Sequence, residues 1–261
     1  MRGALLLALL AGCASRTPQP RAAASPLDAA LPAVSSDAAT TSVACGALRP
    51  DTVCLPGGLA LLGAVGSEDH FELRPPRAAR VRTFAIDVAE VTAARYRRCA
   101  AAGRCSALAD DVADDAPAAR VAWADARNCC AFLGGRLPTE AEWQRAAGGL
   151  LDDNRSAETV SREPTPDGVR DLLGGVSEWV DDPGDFFPPL PRLPSPDASV
   201  GDASFEDAPP RTDGGLFIVD DPRGPSRSPW RVVRGRTAAQ RVFRLPTDAL
   251  PGVGFRCVYD R

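Results

Sequence analysis

Cysteine placement is the feature that most constrains the fold of this chain, because seven of its eight cysteines lie between residues 45 and 257. Cys45 with Cys54, and Cys99 with Cys105, would each close a short local loop. These are the first two disulfides that the spacing predicts for a chain in an oxidising compartment. A fold held by such loops does not need long helices or long strands.

The third bridge should join Cys257, near the end of the chain, to Cys129 or Cys130. Neighbouring residues on a helix point about 100° apart, so only one of the two can face the strand that carries Cys257. Cys130 shares a helix face with three apolar residues, Trp123, Ala126 and Leu133. We therefore predict a Cys130–Cys257 bridge and a free thiol at Cys129. A zinc site built from these cysteines lacks the usual paired spacing.

The first residues have the features of a secretory signal. Residues 1–12 combine Arg2 with an apolar run that is too short to span a bilayer. The sequence Leu10-Ala11-Gly12-Cys13 resembles the bacterial lipobox, which implies lipidation of Cys13 and a mature protein anchored outside the cytoplasm to a bacterial membrane. The alternative is an ordinary secretory signal in which this cysteine is incidental.

Composition excludes several classes of function. The 30 basic residues are all arginine and the net charge is −4, so no cationic field favours nucleic acid. The single histidine, His70, cannot support a His-rich metal site. Residues 13–44 are rich in Ala, Pro and Ser and predict a tether, and residues 182–215 predict a Pro-rich surface insertion. The folded domain is expected over residues 45–261.

Periodicity predicts a small number of elements, which fall into two strands, three helices and a C-terminal alternating segment. They are strands at 57–65 and 80–88, helices from Thr92 to Gly103, over 123–133 and from Thr139 to Gly148, and the alternation of Phe255, Cys257 and Tyr259. Thr139 and Glu142 form a capping box, which would turn Trp143 towards the core.

Five segments follow one another along the chain: Phe84-Ala85-Ile86-Asp87, Gly135-Arg136-Leu137-Pro138-Thr139-Glu140-Ala141-Glu142-Trp143, Gly174-Gly175-Val176-Ser177-Glu178-Trp179, Arg231-Val232-Val233-Arg234-Gly235 and Gly254-Phe255-Arg256-Cys257. In this order they resemble the formylglycine-generating enzyme family, the sulfatase-modifying factors. The resemblance covers roughly residues 55–261 and implies the irregular α+β fold of that family, poor in regular secondary structure and related in shape to C-type lectins.

Active members of that family oxidise a sulfatase cysteine to formylglycine with O2 and a copper(I) ion held by two thiolates. The resemblance places these thiolates just after Arg234-Gly235, where the segment up to Arg244 contains neither cysteine nor histidine. We therefore expect no copper and a catalytically inactive domain. The alternative is a working oxidase with a thiolate site elsewhere, which would need Cys129 together with unpaired Cys130 or Cys257.

This sequence retains only part of a calcium site that the resemblance implies. The family motif Gly-Asn-Val-Trp-Glu-Trp supplies an Asn and a Glu oxygen to calcium, and here Gly175 replaces the Asn while Glu178 is retained. The sequence leaves calcium open as a cofactor, with Glu178 as its remaining ligand.

Because the cysteines that the resemblance implies for copper are absent, binding is the function that the sequence favours. Arg234, Arg236, Arg241 and Arg244 would gather positive charge in one groove, suited to an acidic peptide, a glycan or a protein partner. The domain would then be a binding or scaffold module; a further alternative is a regulatory partner of another enzyme, such as a kinase or a sulfatase. Structural roles are expected for Arg136, in an ion pair before the third helix, and for Trp143 and Trp179.

Overall fold

Short elements make up the fold in this computed structural model, which describes residues 45–46, 48–63, 75–109, 111–147, 164–187, 216–225, 227–235 and 240–260. The helices in these ranges are α1 (Ala93–Ala101), α2 (Trp123–Phe132) and α3 (Glu140–Ala146). The strands are β1 (Thr52–Leu55), β2 (Gly58–Leu62), β3 (Arg77–Val81), β4 (Phe84–Asp87), β5 (Ser177–Pro183), β6 (Ile218–Asp220), β7 (Arg231–Arg234), β8 (Val242–Arg244), β9 (Val253–Gly254) and β10 (Val258–Tyr259). The irregular α+β architecture predicted from the sequence is confirmed.

The strands form three small sheets within the described ranges. β4 is the central strand of the first sheet and pairs antiparallel with β1 and β10. In the second sheet β3 pairs antiparallel with β2 and parallel with β6. The third has the order β8-β7-β5-β9, with β5 antiparallel to β7 and parallel to β9. Asp182 and Pro183, expected to begin the insertion, belong to β5 because they continue this pairing.

Helix α1 begins and ends where the sequence predicts. The Thr92 Oγ1 accepts the N–H of Arg95 at 3.3 Å, which caps the first turn. Gly103 follows the helix with a φ of 68°, a conformation that glycine adopts without a Cβ clash. Tyr96 and Cys99 form the buried face. None of the helices among the described residues has the length and apolar character needed to span a membrane.

Helix α3 is fixed by its cap and by an ion pair. Thr139 Oγ1 accepts the Glu142 N–H at 3.1 Å, and Glu142 Oε2 accepts the Thr139 N–H at 2.8 Å. Arg136 donates to both Glu142 oxygens, at 2.6 and 2.7 Å, and to Asp260 at 2.7 Å. A Cβ on Gly135 would overlap the carbonyl oxygen of Val258, so the loop before α3 must lie against β10. The capping box and the ion pair lie where the sequence places them.

Two apolar clusters fill the interior, one around Trp179 and one around Trp143, and both indoles are fully buried. The Trp179 indole N–H donates to the Val121 carbonyl at 2.8 Å, which satisfies its polar atom. The disulfides are the pairs that the sequence favours: Cys45–Cys54, Cys99–Cys105 and Cys130–Cys257. Cys129 is a buried free thiol. Residues 1–44, which include Cys13, and insertion residues 188–215 lie outside the described ranges.

Candidate functional site

Glu178 lies in a fully buried ion pair with Arg256. The Arg256 guanidinium donates to both carboxylate oxygens at 2.6 to 2.9 Å, and the Trp143 indole N–H donates to Glu178 Oε2 at 2.8 Å. Burial alone would lower the pKa of Arg256, but the carboxylate outweighs it and raises that pKa. Glu178 is therefore the counter-ion of Arg256, and its role as a calcium ligand stays a prediction.

The loop before β5 leaves no room for a side chain at residue 175. A Cβ on Gly175 would overlap Glu90 Oε1, which accepts the N–H of Val176 at 3.1 Å. Burial, and next the Glu178 carboxylate, raise the pKa of Glu90 to about 7. The space that an Asn side chain at residue 175 would need is therefore occupied by the Glu90 carboxyl group.

Two of the arginines proposed as ligand-binding residues are buried around Glu140. Arg241 donates to both Glu140 oxygens at 2.6 and 2.8 Å, and Arg234 donates to Oε1 at 3.2 Å. Their side chains are only 2–3% exposed. Burial would raise the pKa of Glu140, but Arg241 and then Arg234 outweigh it and lower that pKa. The prediction that Arg234 and Arg241 line a surface groove is corrected, because both are needed inside as counter-ions of a buried carboxylate.

Of the other two arginines predicted for that groove, the structure describes Arg244. It is exposed and donates to the neighbouring Phe243 carbonyl at 3.1 Å. Arg236 lies outside the described residues.

A cavity of about 390 Å³ lies where α2 approaches β5 and β7, and we call it the Trp123 pocket. Its walls come from the start of α2, the end of β5, the segment after β6 and the start of β7. The lining residues are Trp123, Arg127, Asp181, Asp182, Pro183, Arg223, Gly224, Pro225 and Arg231.

Two arginines of the Trp123 pocket have no acidic partner in the part of the chain that the structure describes. The guanidinium carbon of Arg231 lies 4.2 Å from the Trp123 ring centroid, and that of Arg127 lies 5.6 Å from it. The Arg231 Nε is buried and makes no hydrogen bond. Arg223, by contrast, is 4.0 Å from Asp181. The pocket therefore holds two guanidinium groups beside one aromatic ring: that of the exposed Arg127, and that of Arg231, whose Nε makes no hydrogen bond.

Asp182 connects the Trp123 pocket to the Glu140 cluster. Its Oδ2 accepts the Glu140 N–H at 2.7 Å, and its Oδ1 accepts the Gly224 N–H at 3.0 Å. Burial, and next the Glu140 carboxylate, raise the pKa of Asp182 to about 7. Asp182 therefore joins the start of α3 to the segment after β6 through one backbone N–H of each.

Sequence reasoning missed the Trp123 pocket. Trp123 and Arg127 are four residues apart on α2, a spacing that places them on one helix face, and this was the one local signal. Arg231 reaches the same place only because β7 pairs with β5. No local pattern predicts that pairing.

Residues 38–157 match the family profile of the sulfatase-modifying factor enzyme 1-like domain. The chain is 32% identical over 161 residues to the inactive C-alpha-formylglycine-generating enzyme 2 of Bos taurus. It is 25% identical over 190 residues to the formylglycine-generating enzyme of Streptomyces coelicolor. These alignments cover 54% and 55% of this chain and 49% and 52% of the relatives, so the chain spans about half the length of each.

The fold is similar to that of a solved structure. Treponema denticola variable protein 1 superposes with a TM-score of 0.58 at 17% sequence identity, covering 84% of this chain and 98% of that protein.

Proposed function

We propose that this chain is a catalytically inactive binding module for an acidic partner, built on a domain similar to those of the formylglycine-generating-enzyme-like, or sulfatase-modifying factor, family. The proposal has two parts: the loss of copper chemistry and the gain of a binding pocket. Each part has its own support.

The loss of copper chemistry is supported by the donor set. Residues 235–244 contain neither cysteine nor histidine. Cys129 is the one unpaired cysteine among the described residues, and burial raises the pKa of its thiol to about 12. A single protonated thiol does not supply the two thiolates that the resemblance implies for Cu(I). One of the relatives is itself named inactive.

The observation that carries the binding role is the pair of guanidinium groups over Trp123. Arg127 and Arg231 are held by the ring rather than by a carboxylate of the described chain. A hydrogen bond to a charged partner contributes about 1.5–3 kcal/mol, so an anionic group placed between the two arginines would gain substantially.

An acidic peptide fits this site better than a glycan does. The planar guanidinium group matches a carboxylate through two parallel N–H···O bonds. A volume of about 390 Å³ accommodates one or two side chains rather than an extended polysaccharide. We therefore assign Asp or Glu side chains of a protein partner as the ligand class.

Anchoring at Cys13 belongs to the same proposal. A lipidated Cys13 would hold the domain at a bacterial membrane, outside the cytoplasm, at the end of the 13–44 tether. Metabolic labelling with a fatty acid tests this point: label on the wild type and none on Cys13→Ala supports the anchor, and label on neither refutes it.

Titration of a fluorescent oligo-glutamate peptide tests the binding role. We expect saturable binding to the wild type, and about tenfold or greater weakening in Arg231→Gln and in Arg127→Gln, because each loses a charge-assisted contact. Neither arginine pairs with a carboxylate of the described chain, so the fold should persist; thermal unfolding checks this.

Arg244→Gln is the matched control, since it removes an exposed arginine outside the pocket. We expect it to bind like the wild type, and an oligo-glutamine peptide to bind to none of the proteins. The pocket is the wrong site if Arg244→Gln alone weakens binding. The ligand class is wrong if a sulfated glycan binds through Arg127 and Arg231 while the peptide does not.

A further inference from the structure

Three cysteine sulfur atoms lie together at the junction of α1 and α2. The Sγ atoms of Cys99, Cys105 and Cys129 are all within 4.8 Å of one another. Cys99 and Cys105 form a disulfide, and Cys129 is the free thiol beside it. A thiol in contact range of a disulfide has the arrangement that thiol–disulfide exchange requires.

The three cysteine residues differ in their access to solvent. Cys99 on α1 and Cys129 on α2 are fully buried, whereas Cys105, in the loop after α1, is partly exposed. That loop is attached to the start of α2, because the Ser106 N–H donates to Asp125 Oδ1 at 3.0 Å. Breaking the Cys99–Cys105 bridge would therefore change the chemistry of a partly exposed residue, Cys105.

The surroundings of Cys129 keep it a thiol at neutral pH. Burial is the largest effect and raises the pKa of Cys129 to about 12. Arg95 and Arg98 on α1 favour the thiolate, whereas Asp87 on β4 and Asp125 on α2 oppose it. Because the thiolate is the nucleophile, its small fraction makes attack by Cys129 slow at neutral pH. The rate of attack increases as the pH rises.

We propose that Cys99, Cys105 and Cys129 form a thiol–disulfide exchange site whose exposed member, Cys105, can take up a small disulfide-bearing molecule. The Cys129 thiolate attacks Cys99 Sγ, the new Cys99–Cys129 bond forms and the Cys99–Cys105 bond breaks. Cys105 leaves as a thiolate and takes the proton that Cys129 lost. The step is redox-neutral and needs no co-reactant.

The direction of attack follows from solvation. A thiolate on a residue nearer to solvent is the better leaving group, because water can stabilise it, and Cys105 is the partly exposed residue of the three. The freed Cys105 thiolate can then attack an external disulfide, forming a mixed disulfide and releasing one thiol of that molecule. Cys105 is therefore a modification site that becomes available only when its bond to Cys99 is broken.

Disulfide mapping of the wild-type protein with glutathione disulfide as the probe tests this proposal. Trypsin cuts after Arg98 and Arg104, so Cys99 and Cys105 fall on separate peptides. After incubation at about pH 7 and about pH 9, acid quenching and mass spectrometry, we expect Cys99 linked to the Cys129 peptide and glutathione on Cys105, both increasing with pH.

Two controls separate this route from general scrambling. Cys45–Cys54 should be unchanged in the same digests, since neither of its sulfurs belongs to the cluster. In Cys129→Ser the Cys99–Cys105 bridge should persist and Cys105 should acquire no glutathione. The proposal is overturned if Cys99–Cys105 is intact in the wild type at both pH values, if Cys105 is glutathionylated equally in Cys129→Ser, or if all bridges exchange together.

Discussion

At the scale of single residues, two buried carboxylates determine where several arginines of this chain lie. Glu178 binds Arg256, and Glu140 binds Arg234 and Arg241, with every one of these side chains at most 4% exposed. A buried charge is tolerated only with a counter-ion, so each carboxylate also specifies the position of its arginines. The arginines left for a ligand are those that no such carboxylate binds.

Removing the charge of Glu178 should therefore be strongly destabilising. Glu178→Gln leaves the Arg256 guanidinium buried without a counter-ion, and we expect the free energy of unfolding to fall by about 3–5 kcal/mol. Urea denaturation measures this change in the free energy of unfolding. Asp220→Asn is the control, because the Asp220–Arg80 ion pair is exposed. This variant should show no measurable loss of stability. Equal effects in the two variants would contradict the counter-ion role.

Glu90 should make stability depend on pH. Its pKa is raised from 4.5 to about 7 in the folded protein, so the folded state binds the proton more tightly than the unfolded chain does. The resulting stabilisation is complete below about pH 4.5 and is lost as the pH rises through about 7. We expect the free energy of unfolding to fall by roughly 1–3 kcal/mol from about pH 5 to about pH 8.

Glu90→Gln should flatten that pH dependence, as measured by urea denaturation at a series of pH values. Asp182, whose pKa is also raised to about 7, should leave a residual slope that Asp182→Asn removes. An unchanged slope in Glu90→Gln would show that this carboxyl group titrates normally.

At the scale of elements, caps matter because the helices are short. α3 has seven residues, fewer than an isolated helix needs for stability in water, so its first turn depends on Thr139 and Glu142. Thr139→Ala should lower the free energy of unfolding by about 1 kcal/mol. Thr92→Ala removes the cap of α1, which has no reciprocal Glu, and should have the smaller effect. The denaturation midpoints of the two variants measure this difference. A larger loss of stability in Thr92→Ala than in Thr139→Ala would contradict a stabilising role of the α3 capping box.

Helices were easier to predict than the site for a physical reason. The cap of α1 and the box of α3 are local patterns, so Thr92, Gly103 and Thr139 mark helix ends in the sequence itself. Strands of two to seven residues are defined by distant partners instead; β3, for example, pairs with β6, far along the chain. The Trp123 pocket needs β7 beside β5, and the arginine groove was mispredicted because burial of Arg234 depends on Glu140.

At the scale of the whole molecule, one bridge connects the middle of the chain to its end. Cys130–Cys257 spans 127 residues, whereas Cys45–Cys54 spans 9. Longer loops lose more entropy in the unfolded state when they are closed. Replacing both Cys130 and Cys257 by Ala should cost about 2 kcal/mol more than replacing both Cys45 and Cys54, as measured by denaturant unfolding. Equal losses would argue against this effect.

The central proposal is that this fold lacks the copper chemistry that the resemblance to formylglycine-generating enzymes implies. Titration of the purified protein with copper(I), with free thiols located by mass spectrometry in the same sample, tests it most directly. We predict no stoichiometric copper binding and, apart from Cys13, a single free thiol among Cys99, Cys105 and Cys129. Tight binding of one copper ion, together with two free thiols in residues 45–261, would contradict the claim and indicate a working oxidase.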